Sequence, residues 1–156
     1  MTDFYTECET GLMTLLRTLT TYFPLTWQVS DDDAVLMQGA EYVVIVRPGK
    51  FPLTRQTEQL SIVNWEVTAD LFVQFVDYKT SWAKFKTFRS VLFNLIMANP
   101  TLRDTAGVFR VDMASDAAAQ YLKFSEAPDA RPAYIVQTAK FNIVQLIQYP
   151  PGTSEF

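Results

Sequence analysis

A chain of 156 residues, 49% of them hydrophobic and 19% charged, is long enough to bury one core of its own and too apolar to be disordered throughout. The formal net charge of -4 argues against general attraction to nucleic-acid phosphates or anionic membranes. Cys8 is the single cysteine and there is no histidine, which excludes an internal disulfide, a thiolate metal cluster and the commonest general base.

Phe4, Cys8, Leu12, Leu15, Leu16, Leu19 and Phe23 recur at helical spacing, predicting a helix over residues 3–22. Thr2 or Asp3 caps it, Glu7 and Glu9 sit in its early turns where the helix dipole favours acids, and Pro24 closes it. Cys8 lies on the apolar stripe, as a buried small hydrophobe rather than a reactive thiol. No positive stretch followed by an apolar run opens the chain and no membrane span follows, so an unexported protein is expected.

A short segment around Trp27 leads into Asp31, Asp32 and Asp33, which mark a turn; they lack the glycine and glutamate spacing of a calcium loop. Residues 34–37 read as a brief strand and 42–46 as a buried one, ended by Pro48-Gly49. Residues 47–60, with prolines, a glycine and three bases, predict an extended loop.

A long strand over residues 61–77 follows, because Trp65, Val67, Ala69, Leu71, Val73 and Phe75 alternate with Glu66, Thr68, Asp70 and Gln74. The period then switches to three and four at Trp82, Phe85, Phe88, Leu92, Leu95 and Ile96. Thr80 or Ser81 caps this second helix and Pro100 ends it near Asn99. Strand and helix, joined directly, should form the core.

Residues 107–113 predict another strand. Residues 114–132 read as a connection with room for a short helical turn near Ala117 to Leu122. Residues 133–149 form a second long strand, with Ala139, Phe141, Ile143 and Ile147 on one face and Pro150-Pro151 stopping it. The expected fold is α+β: an antiparallel sheet with two main helices packed on one face and a long loop between the first two long strands. A single domain spans residues 1–149, and 150–156 form a flexible tail.

No catalytic, cofactor or metal signature stands out. The five glycines are scattered, so there is neither a phosphate-cradling loop nor a dinucleotide fingerprint. Glu66 and Asp70 share the polar face of the long strand, where solvation is the ordinary fate of such acids. Trp82, Phe85 and Phe88 interleave with bases, but their spacing turns them to the core rather than toward nucleic-acid bases. The distribution of charge is more informative: acids dominate residues 1–41, and bases dominate residues 79–110. Two solvated faces, or an acidic face of one copy against a basic face of the next, both fit this pattern. The 14% aromatic content points to burial beyond a monomer's needs.

The order of elements resembles the tail terminator, or head-to-tail joining, proteins of long-tailed bacteriophages. The likeness is carried by the first helix (residues 4–21), a strand (41–46), the extended loop, the alternating strand (64–77), the second helix (82–98) and two closing strands, the last being Tyr134-Ile135-Val136-Gln137-Thr138-Ala139-Lys140-Phe141-Asn142-Ile143-Val144. It implies a non-enzymatic virion protein, assembled in the host cytoplasm, whose homo-oligomeric ring of six copies caps the tail tube and meets the head connector. Partners would be the tube protein and a head-completion protein, with DNA passing through without specific binding. It further implies a subunit interface pairing Glu7, Glu9, Asp31, Asp32 and Asp33 with Lys84, Lys86 and Arg89, and a loop group of Arg47, Lys50 and Arg55 facing tube or lumen. The alternatives are another neck component, such as a head-closure protein, or a small-ligand-binding or enzymatic α+β domain with a pocket between sheet and helices.

Overall fold

The structure is a computed structural model and describes residues 3–23, 26–50, 53–56 and 60–148. Thr2, Pro24, Pro150-Pro151 and the expected tail therefore lie outside the described residues. Among the described residues, an α+β fold combines two α-helices with a mostly antiparallel seven-stranded sheet. No helix among them is long and apolar enough to cross a membrane.

Helix α1 (Phe4–Arg17) begins where the Asp3 carboxylate accepts the Thr6 amide at 3.0 Å, satisfying a donor that the first turn leaves unpaired. The predicted helix continues only as a 3-10 turn, Thr18–Thr21, although Leu19 and Phe23 still reach the core. Strand β1 (Trp27–Ser30) pairs in parallel with β2 (Tyr42–Pro48). Between them Asp33–Gln38 is a 3-10 helix, not the brief strand expected at 34–37. Asp32 caps it by accepting the Ala34 amide at 2.9 Å, and Gly39 ends it with a left-handed φ of 75°; this local capping outweighs the β-propensity of so short a run.

The segment expected as one extended loop is in part strand. β3 (Leu53–Gln56) pairs with Ser61 to Asn64 of β4 (Leu60–Gln74). β2 pairs with β4 only as far as Val67, so β4 runs on with an open edge, and the returning chain fills the same lane. Helix α2 (Tyr78–Ala98) starts earlier than Thr80 or Ser81 would allow. Asp77 is the capping residue and accepts the Thr80 amide at 2.7 Å, while Ser81 Oγ accepts the Val76 amide at 2.8 Å.

The cap holds the Asp77 carboxyl below its usual range, chiefly through the Thr80 amide. A folded-state pKa below the unfolded one contributes stability above the unfolded value and loses it as pH falls through the folded value. Asp77→Asn should therefore lower the melting temperature at pH 7, and the gap to wild type should shrink steadily when both are melted at progressively lower pH below 4.

After α2 come β5 (Val108–Ala114), β6 (Gln120–Leu122) and β7 (Tyr134–Gln148). β4 and β7, each 15 residues long, pair along their whole length from Leu60↔Gln148 to Gln74↔Tyr134 and form the spine of the sheet. The path across the sheet is β1-β2-β4-β7-β5. β6 takes the place of the helical turn allowed at 117–122, because Tyr121 and Leu122 find backbone partners in Ile135 and Tyr134.

The alternation on β4 holds: Val67, Ala69, Leu71 and Val73 are buried with Ile135, Ala139, Phe141 and Ile143 of β7. One cluster joins them to Cys8, Leu12, Leu15 and Leu16 of α1 and to Phe85, Phe88, Leu92 and Ile96 of α2. The opposite face carries a smaller cluster of Ala40, Val43, Ile45, Phe72 and Tyr134, against which Leu36 and Leu122 pack. Burial pushes the Cys8 thiol up to about 12, with the Glu7 charge adding to the effect. At pH 8 a disulfide reagent should consequently label Cys8 only at the rate of unfolding, and labelling should accelerate in parallel with the urea transition.

Candidate functional site

Strand alternation sends Glu66, Thr68 and Asp70 to the face opposite the main cluster. The register sets Thr138, Lys140 and Asn142 of β7 beside them, and Arg47 of β2 beside Thr68. A chain of charge-assisted bonds results. The Arg47 guanidinium pairs with one oxygen of Asp70, whose other oxygen accepts the Thr138 hydroxyl at 2.7 Å. Lys140 pairs with Asp116 and lies 3.9 Å from Glu66, whose second oxygen accepts the Lys50 amide at 2.6 Å. The shared bond raises the Lys140 pKa and holds the Asp116 carboxyl below its usual range. Solvent-screened pairs of this kind order the face rather than hold the fold together.

Above this ladder lies a cleft of about 590 Å³. Ile45, Phe72, Val136 and Leu36 give it an apolar lining, and Asp31, Asp32 and Asp33 bring the acidic turn to it. Arg47 and Asp70 line it as well. A second groove of about 430 Å³ runs between α2 and the strands β5 and β7, where Arg89 and Phe93 meet Met113 and Ala139. Flanking the buried stripe of α2, Lys86, Arg89, Phe93 and Met97 are all exposed.

The structure brings some of the expected site residues together and separates others. Asp31, Asp32 and Asp33 share one cleft with Arg47, which was expected in the loop group with Lys50 and Arg55. Glu7 is exposed on α1, while Glu9 accepts the Tyr5 hydroxyl at 2.6 Å. Lys84 is paired within the chain to Glu41 at 2.7 Å, and that bond raises its pKa. Lys86 has no ion pair among the described residues, and Arg89 donates to the Gln137 side-chain oxygen at 3.3 Å. Lys50 is exposed, and Arg55 lies in β3 opposite Ile62, its side chain outside the described residues. Glu66 and Asp70 were placed correctly on one polar strand face, but their partners depend on strand register, which spacing alone does not give.

Among the described residues no cluster of ligating side chains is arranged to hold a metal ion. The geometry defines an α+β protein with a charged open sheet face, an acid-flanked cleft and a basic, partly apolar helix stripe. The sequence matches no known protein family and no curated protein.

Proposed function

We propose that this chain is a structural subunit of a phage neck, a tail terminator whose ring caps the tail tube and joins it to the head connector. The observation that carries the reading is the separation of exposed charge: Lys86 and Arg89 on α2, and Asp31, Asp32 and Asp33 beside the opposite sheet face. Surfaces of opposite sign on opposite faces favour head-to-tail association, which closes into a ring when the rotation allows. The order of elements supports it too: a helix, a strand, a long strand, a second helix and closing strands follow one another as the resemblance expects.

Of the residues expected at the subunit boundary, Glu9 and Lys84 are partly buried and partnered within the chain, whereas Glu7, Asp31, Asp32, Asp33, Lys86 and Arg89 are exposed and in no ion pair among the described residues, so these carry the contact. Lys50, just after β2, and Arg55, on β3, form the group that faces tube or lumen, while Arg47 lines the acid-flanked cleft beside Asp70. The acidic balance of the chain suits a channel that DNA crosses without adhering. Co-sedimentation with tail tubes assembled from the cognate tube protein tests the proposal. Saturable pelleting at one ring per tube end supports it; pelleting with filled heads alone, or with neither, overturns it.

A further inference from the structure

The two surfaces just described are complementary in more than sign. Phe93 and Met97 stand one turn apart on α2 and are 44% and 56% exposed, a pair of large apolar side chains on a helix that already buries Phe85, Phe88, Leu92 and Ile96 on its other side. Lys86 and Arg89 continue the same stripe, so that Lys86 to Met97 covers about 16 Å of helix. The cleft on the other sheet face offers the inverse: an apolar lining of Ile45, Phe72 and Val136, and a margin of acids, with the one base there, Arg47, already paired with Asp70. The Asp31 and Asp33 carboxylates have no hydrogen bond or ion pair among the described residues, so their charge is not consumed within the subunit.

We propose that the cleft flanked by Asp31 and Asp33 receives the α2 stripe of a second copy, with Phe93 and Met97 on the apolar lining and Lys86 and Arg89 against the acids. This rests on the ring reading above and specifies which surfaces form the ring. The mode is a helix in a groove, in which apolar anchors supply affinity and flanking charge sets register. Stripe and cleft lie on opposite faces of one sheet. A single two-fold contact therefore cannot satisfy both, and the association is heterologous.

Charge exchange in the full chain tests it. Lys86→Glu/Arg89→Glu reverses the stripe, and Asp31→Lys/Asp33→Lys reverses the cleft while leaving the Asp32 cap in place. Each variant alone should sediment as a monomer where the wild type associates, with affinity reduced about a hundredfold. The equimolar mixture should regain the wild-type mass, because acidic stripe then meets basic cleft and basic stripe meets acidic cleft. Should circular dichroism show that a reversed variant has lost its fold, the neutral pairs Lys86→Gln/Arg89→Gln and Asp31→Asn/Asp33→Asn take its place, with a loss of about tenfold expected for each.

Variants that assemble like the wild type, a mixture that stays monomeric, or a wild type that is monomeric at every concentration would each overturn the inference. Co-sedimentation with tubes judges the ring reading separately. Wild-type binding to tubes that survives both reversals would leave that reading standing without this interface.

Discussion

Truncating Phe88 to alanine lowers the unfolding free energy by about 3–5 kcal/mol. Phe88 is fully buried, and the rings of Phe23, Trp27 and Tyr42 approach it with centroids at 5.4, 5.6 and 5.4 Å. Those partners come from the segment after α1, from β1 and from β2, so one side chain of α2 ties together three separate parts of the chain. Removing the ring leaves a cavity that these neighbours cannot fill without losing their own contacts. Against a total of about 5–15 kcal/mol for a domain, the loss is large. Phe88→Leu keeps most of the volume and should cost less than about 1.5 kcal/mol. Urea midpoints with an unchanged dependence on denaturant measure both; a cost below about 1 kcal/mol for the alanine variant would place Phe88 outside the core.

Gly107→Ala is the second large effect, expected at about 2–4 kcal/mol. Gly107 has a φ of 75°, where a side chain is strained, and a Cβ there would lie well inside contact distance of the Leu146 carbonyl oxygen. The obstacle is backbone on β7, and Gly107 itself accepts the Leu146 amide at 2.8 Å, so relief requires the start of β5 to move away from its partner. Gly39 supplies the control. Its φ is also 75°, but nothing lies within 4 Å of a Cβ built there, so Gly39→Ala should cost only the backbone term of about 1–2 kcal/mol. Thermal melts of the two variants side by side separate conformational strain from steric collision.

The elements with long periods were legible in the sequence. β4 announced its buried face through Val67, Ala69, Leu71 and Val73, and α2 did so through Phe85, Phe88, Leu92 and Ile96, because repeated burial leaves a repeated pattern. Short elements left none. β3 and β6 exist because β4 and β7 offer open edges, a fact of tertiary structure, and the 3-10 helix at Asp33–Gln38 exists because Asp32 and Gly39 cap it. The second cluster had two signals, the continuous apolar run that contains Val43 and Ile45, and Phe72, the aromatic residue that interrupts the polar side of β4. The candidate surfaces were legible as charge and not as geometry. Separation of acids from bases was visible along the chain, whereas the pairing of Arg47 with Asp70 and of Lys84 with Glu41 required register and packing. The apolar knobs Phe93 and Met97 had no signal at all, since an exposed apolar residue on a helix looks like any other until its surroundings are known.

The measurement that tests the proposed role most directly is growth of tail tubes, followed by electron microscopy, with and without this protein added during elongation. The proposal predicts a ring of added density at one tube end and arrested lengthening once every end is occupied. Tubes that continue to lengthen at the same rate, with bare ends, would contradict it.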